Sequence, residues 1–223
     1  FLEKYIKAVP FFTPGNCAAI VYKPPNRKLQ PLIIDVDFRF EEKTELDAQI
    51  HFDFARELAN RLVGICKQTV EFWIVCKPTG YFQNVVVGEK KVRIYKNGFH
   101  IYFGNVLITL AIAQKIKSYA ERIVMSYYKK FNPTNEPSDI IDNRVITRKN
   151  GLMLIGTYKK PRSGGQYMLK LKGSTNKNGD IETKAVDKDT LFRNLGNIMN
   201  IYDFVWGKPD EEKTEEKTEE KEE

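Results

Sequence analysis

The chain has 223 residues, of which 42% are hydrophobic and 29% charged, enough apolar side chains to bury a core, and it carries a formal +7. Residues 210–223 hold nine acids against three lysines, which leaves the preceding 209 residues at +13, a surface suited to polyanions. Cys17, Cys66 and Cys76 show no C-x-x-C spacing, which argues against a disulfide framework or a cysteine zinc site and favours a reducing compartment; no apolar run is long enough to span a bilayer.

The chain opens at Phe1 with no methionine, and Phe1–Pro10 lacks a cleavable signal pattern, so it reads as a segment of something longer. Leu2–Val9 is predicted as a helix and Ala18–Tyr22 as a strand. Leu32–Phe38 (LIIDVDF) is the clearest strand, β-branched and aromatic, and reads as a central one. In Leu46–Cys66 the apolar positions Ile50, Phe54, Leu58, Leu62 and Ile65 approach a 3.6-residue period, predicting an amphipathic helix with Asp47 in its first turn. Val70–Cys76 reads as a buried strand closed by Lys77-Pro78-Thr79-Gly80. Short extended pieces at Val85–Val87 and Val92–Tyr95 flank a Gly88 turn, and Gly98–Phe103 reads as a further strand.

Val106–Phe131 is predicted as a long helix ended by Pro133 and Pro137. Asp139–Thr147, Leu152–Thr157 and Gln166–Leu171 read as strands, Lys172–Lys177 as a polar loop and Lys188–Asp203 as a last helix. Beyond Trp206 the composition falls to DEEKTEEKTEEKEE, with no apolar residue to bury. This order predicts an α+β fold of mixed, largely antiparallel sheets flanked by helices, with residues 1–207 as one domain and 208–223 as an acidic tail or linker.

Asp35 and Asp37 stand two apart on a strand, so both carboxylates leave one face while Ile34, Val36 and Phe38 take the other. Two acids side by side in an apolar strand repel each other, and a pair of Mg²⁺ or Mn²⁺ ions would offset that while still binding phosphates. The D-x-D pattern alone is shared by glycosyltransferases, phosphatases and polymerases. Two further segments accompany it. Lys96–Phe103 (KNGFHIYF) reads as a glycine turn with Lys96 and His100 on its two sides, groups able to hold phosphate oxygens. Ile140–Thr147 (IIDNRVIT) carries Asp142 after a β-branched pair, and the following LMLIGTYKK leads back to Lys159 and Lys160.

Taken in order, DVD, KNGFHIYF and D-x-x-V-x-T … G-x-x-K resemble motifs I, II and III of the archaeo-eukaryotic primase superfamily, over roughly Ile33–Lys160. The likeness is greatest to primase domains of helicase-primases from large cytoplasmic DNA viruses and to eukaryotic primase-polymerases. It implies a two-lobed catalytic core in which Asp35, Asp37 and Asp142 hold the metals and act in catalysis, with Lys96, His100 and Lys159 binding the nucleotide. Asp139 competes for the motif III role, which the D-x-x-V-x-T context gives to Asp142. Met153 stands where relatives often have a basic residue, and Gly156-Thr157-Tyr158 where they have a serine.

The resemblance further implies template-dependent primer synthesis from NTP or dNTP on single-stranded DNA, in the host cytoplasm or a viral replication site, with no membrane partner. The chain contains no P-loop, so a helicase would lie in a C-terminal part or a partner chain. Two rival readings stand beside this one. A single-strand-binding module would use Tyr95, Phe99, Tyr102, Tyr127 and Tyr128, although their apolar periods assign most of them to the core. A metal-dependent nuclease would also use an acid cluster. His51 has no partner visible in sequence.

Overall fold

A computed structural model describes residues 21–22, 29–147, 152–153, 156, 165–175 and 181–185. The elements within it are β1 (Val21–Tyr22), β2 (Gln30–Phe40), α1 (Ala48–Cys66), β3 (Val70–Cys76), β4 (Tyr81–Val87), β5 (Lys90–Ile108) and α2 (Leu110–Tyr128). There follow a 3-10 turn (Lys129–Phe131), two single-turn helices α3 (Pro137–Ile140) and α4 (Asn143–Ile146), β6 (Leu152–Met153), β7 (Met168–Thr175) and β8 (Ile181–Ala185). Among the described residues all pairings are antiparallel. Six strands form one sheet in the order β2-β5-β3-β7-β8 with β4 on β5, and β1 pairs β6 separately. The fold is α+β, as the order of elements predicts.

Alternation gives the main sheet two chemically different faces. Ile34, Val36 and Phe38 of β2, Phe72 and Ile74 of β3, and Phe99 and Ile101 of β5 are buried on one face, in the core that also contains Phe54, Leu58 and Leu62 of α1 and Ile116, Ala120 and Val124 of α2. Both helices are fixed at their starts. The Asp47 carboxylate accepts from Gln49 N at 2.8 Å, so Asp47 is the cap of α1 rather than part of its first turn, and Thr109 caps α2 through Ile112 N. Lys67, at φ 56, closes α1 by returning its N–H to Val63 O.

His51 belongs to this core. It is buried against the Phe99 ring, with centroids 4.0 Å apart, and its Nδ1 lies 2.9 Å from the Tyr128 hydroxyl. Burial, only partly opposed by the Asp47 charge, pulls its pKa down to about 4. Cys66 and Cys76 are free thiols, and burial pushes both upward, Cys76 to about 11 with Lys170 opposing weakly.

Several expectations are corrected. Among the described residues β2 is the end strand of its sheet, not a central one, and its outer edge is covered by chain laid along it: Thr134 N donates to Arg39 O, Ile141 bridges Val36, and Asp142 N donates to Asp35 O. Gly98 makes no turn. β5 runs unbroken through it, absorbing the separate pieces at 92–95 and 98–103 and also 106–108, so α2 begins only at Leu110. Residues 172–175 continue β7 instead of forming a loop. Of 152–157, the described residues are Leu152–Met153, a strand, and Gly156, in a turn. The predicted helices at 2–9 and 188–203 lie outside the described residues. Among the described residues no helix is long and apolar enough to cross a membrane.

Candidate functional site

The polar face of the sheet carries the acids. In the β2–β5 register Asp35 stands opposite His100, Asp37 opposite Gly98 and Arg39 opposite Lys96, so their side chains leave the same face. His100 Nε2 lies 3.4 Å from Asp35 Oδ1, and Lys96 Nζ reaches diagonally to Asp37 Oδ2 at 2.7 Å. Each acid therefore has a cationic or proton-donating neighbour from the next strand. Gly98 is required by close approach: a Cβ there would lie 2.2 Å from Val36 O and 3.1 Å from Asp37 Oδ1.

A gap in the sheet makes this face a cleft. β3 and β4 run along the same edge of β5, β3 pairing 99–103 and β4 pairing 90–96, and Lys77–Gly80 departs from the edge between them. Asp35, Asp37, Lys96 and His100 line the cleft together with Lys77, Thr79, Tyr81 and Tyr167. Tyr167, just before β7, stacks on the His100 imidazole with centroids 4.9 Å apart and planes 19° from parallel. Lys77 Nζ lies 4.3 Å from the Tyr81 ring centre and 5.0 Å from that of Tyr167.

Electrostatics follow from this packing. Burial drives the Tyr167 hydroxyl pKa upward, with the Asp35 and Asp37 carboxylates adding to it, so the phenol stays neutral. For Lys96, burial pulls the ammonium pKa down, but the charge and hydrogen bond of Asp37 outweigh it and the net shift is upward. Lys96 is therefore protonated throughout the ordinary pH range.

Asp142 is near by backbone rather than by side chain. Its segment, expected as a strand, folds as two single turns because Pro137 starts α3 and Asp142 caps α4, its carboxylate accepting from Arg144 N at 2.7 Å. Only Ile141 retains a strand-like bridge. The Asp142 N–H donates to Asp35 O at 3.0 Å, which fixes the third acid next to the first without bringing its carboxylate into the cleft lining. Asp139 is exposed in α3.

Asp35 and Asp37 are thus the described carboxylates that line the cleft, and their hard oxygen donors suit Mg²⁺ or Mn²⁺. Among the described residues no three His, Cys, Asp or Glu side chains are grouped closely enough to hold an ion together. Lys159, like Lys160, lies outside the described residues. Sequence reading missed Lys77, Tyr81 and Tyr167. The Lys-Pro-Thr-Gly break between two strands was the available signal for the first two; Tyr167 arrives through the β3–β7 pairing and had none.

Comparison with curated proteins finds no match. Residues 1–171 match the family model described as the C962R protein N-terminal AEP domain. The chain therefore belongs to the archaeo-eukaryotic primases, a family of primase and nucleotidyltransferase type.

Proposed function

We propose that the chain carries out template-dependent primer synthesis, as a DNA primase or primase-polymerase, by attack of a 3′-hydroxyl on the α-phosphate of a bound NTP or dNTP with pyrophosphate leaving. The observation that carries this reading is the register of β2 on β5, which sets two carboxylates against a lysine and an imidazole on one face of a cleft. Asp35 and Asp37 would hold the metals, with Asp142 as the third acid from the adjoining segment. Mg²⁺ or Mn²⁺ bound there would lower the pKa of the attacking hydroxyl and offset charge on the leaving phosphates.

The protein's own groups supply orientation. Lys96 keeps its charge and sits within reach of the same space as Asp37, so it can pass from the carboxylate to a triphosphate oxygen. His100 is held by the Tyr167 ring on one side and lies 3.4 Å from Asp35, a fixed donor for phosphate. Lys159 would add a further cation to the triphosphate. Residues 1–207 form the catalytic unit in this reading and 208–223 a solvated tail or linker. The template is single-stranded DNA, and strand separation falls to a helicase on a further segment or a partner chain. The free thiols suit a reducing compartment, as the cytoplasm would supply.

The test is Asp35→Ala combined with Asp37→Ala, assayed with single-stranded template, labelled NTP or dNTP, and Mg²⁺ or Mn²⁺. Short templated products from the unaltered chain and none from the double variant, with unchanged thermal unfolding and oligonucleotide binding, are the expected results. Synthesis that survives the double substitution would sink the assignment. Release of fragments from the template without triphosphate consumption would indicate a nuclease.

A further inference from the structure

The strands β4 and β5 continue past the cleft as a two-stranded ribbon, turned by Gly88-Glu89 with Gly88 at φ 61 and paired regularly from Tyr81↔Lys96 to Val87↔Lys90. Among the described elements β4 packs chiefly on β5. Lys90, Lys91 and Arg93 are all exposed on this ribbon, opposed within it by the single acid Glu89. Phe82 and Val86 are also open to solvent, at 42% and 69%, and the Arg93 guanidinium lies 4.1 Å from the Phe82 ring centre.

Beyond the sheet the two-stranded ribbon has no second layer among the described elements to cover Phe82 and Val86, which leaves them open to a partner. The charge decides which kind. Three cations against one acid select a polyanion over an apolar protein face, and an arginine stacked on an exposed aromatic offers a planar surface to bases as well as charge to phosphates. Tyr81 and Lys96 at the base of the ribbon are cleft residues and Lys90 at its tip shares their face, while Phe82, Lys91 and Arg93 take the other, so the ribbon presents cations on both faces beyond the cleft.

We propose that the β4–β5 ribbon grips the nucleic-acid strand outside the cleft, with Lys90, Lys91 and Arg93 on the phosphates and Phe82 beside the bases. The inference rests on the proposed synthesis only in taking nucleic acid as the partner, and its test does not require catalysis.

The probe is a fluorescein-labelled single-stranded oligonucleotide, titrated by anisotropy against the full chain over a range of salt. Substituting Lys90→Ala, Lys91→Ala and Arg93→Ala together is expected to weaken binding about tenfold or more at low salt, and to reduce the slope of log affinity on log salt by about 2, since each lost phosphate contact on a single strand removes roughly 0.7. A triple variant with wild-type affinity and slope overturns the proposal, as does an unaltered chain that binds no oligonucleotide. Should the triple variant unfold, the exposed pair Lys90→Glu with Lys91→Glu takes its place under the same criteria. Loss of self-association by the variant without loss of oligonucleotide binding would make the ribbon a protein interface and also overturn it. The titration is made without nucleotide and reads no synthesis, so failure of the synthesis reading leaves this measurement intact. Conversely, templated synthesis with unchanged binding by the ribbon variant would refute the ribbon alone.

Discussion

Lys96 separates what the site contributes to stability from what it contributes to function. Its ammonium is nearly buried while its partner Asp37 is 41% exposed at the side chain. A half-solvated pair of this kind is worth only about 0.5–1 kcal/mol to folding, because water screens the carboxylate. Against a triphosphate the same ammonium meets several charges in a partly closed cleft, where a charge-assisted bond counts for more. Lys96→Ala is accordingly expected to leave the thermal midpoint within a few degrees of the unaltered chain while raising the nucleotide KM about tenfold or more, with Lys96→Arg intermediate. Steady-state incorporation against nucleotide concentration, paired with a thermal melt, checks both halves. A large loss of stability with unchanged KM would make the residue structural.

At the scale of elements, the acids depend on an edge that one asparagine helps to seal. Asn135 is buried, its Nδ2 donates to Asp37 O at 2.8 Å, and its Oδ1 accepts from Arg39 N at 2.9 Å, so one side chain replaces the missing neighbour strand beside Asp37. Asn135→Ala leaves both backbone groups without that partner, at a cost of about 1–3 kcal/mol. The expected result is a lower urea midpoint together with faster hydrogen exchange at the Arg39 amide; unchanged exchange there would show that the edge is held by other means. None of this was visible in the residues around Asn135, which stands between the two prolines that end the predicted helix. β2 and β3 were legible because LIIDVDF and VEFWIVC are dense in β-branched and aromatic side chains, and α1 because its apolar period is regular. Gly98 was misread because a glycine for close approach and a glycine for a turn look alike in sequence. Residues 139–147 were misread because Ile140-Ile141 and Val145-Ile146 have strand propensity, which Pro137 and the Asp142 cap overrode.

At the scale of the whole molecule, the sheet joins an apolar layer beneath to a polar site above, and His51 lies where that layer is most sensitive to charge. Its ring stacks on Phe99, the neighbour of His100 in β5 and on the opposite face, while Tyr128 of α2 meets its Nδ1. Folding therefore holds the imidazole neutral, with its pKa lowered from 6.5 to about 4 by burial. Between those values the unfolded chain binds the proton and the folded chain does not, so stability is fully present above pH 6.5 and is lost as the pH falls towards 4. At about 1.36 kcal/mol for each unit, the loss approaches about 3 kcal/mol at the acid end. Most carboxylates remain ionised above about pH 5, so the upper part of this window reports on histidine more than on acids. Urea unfolding of the unaltered chain from pH 7 down to 5 is expected to show a falling midpoint, and His51→Leu, which cannot take up the proton, is expected to flatten that dependence whatever it does to the midpoint at pH 7. An equal slope in the variant would place the titrating group elsewhere and would mean that the core tolerates a charged His51.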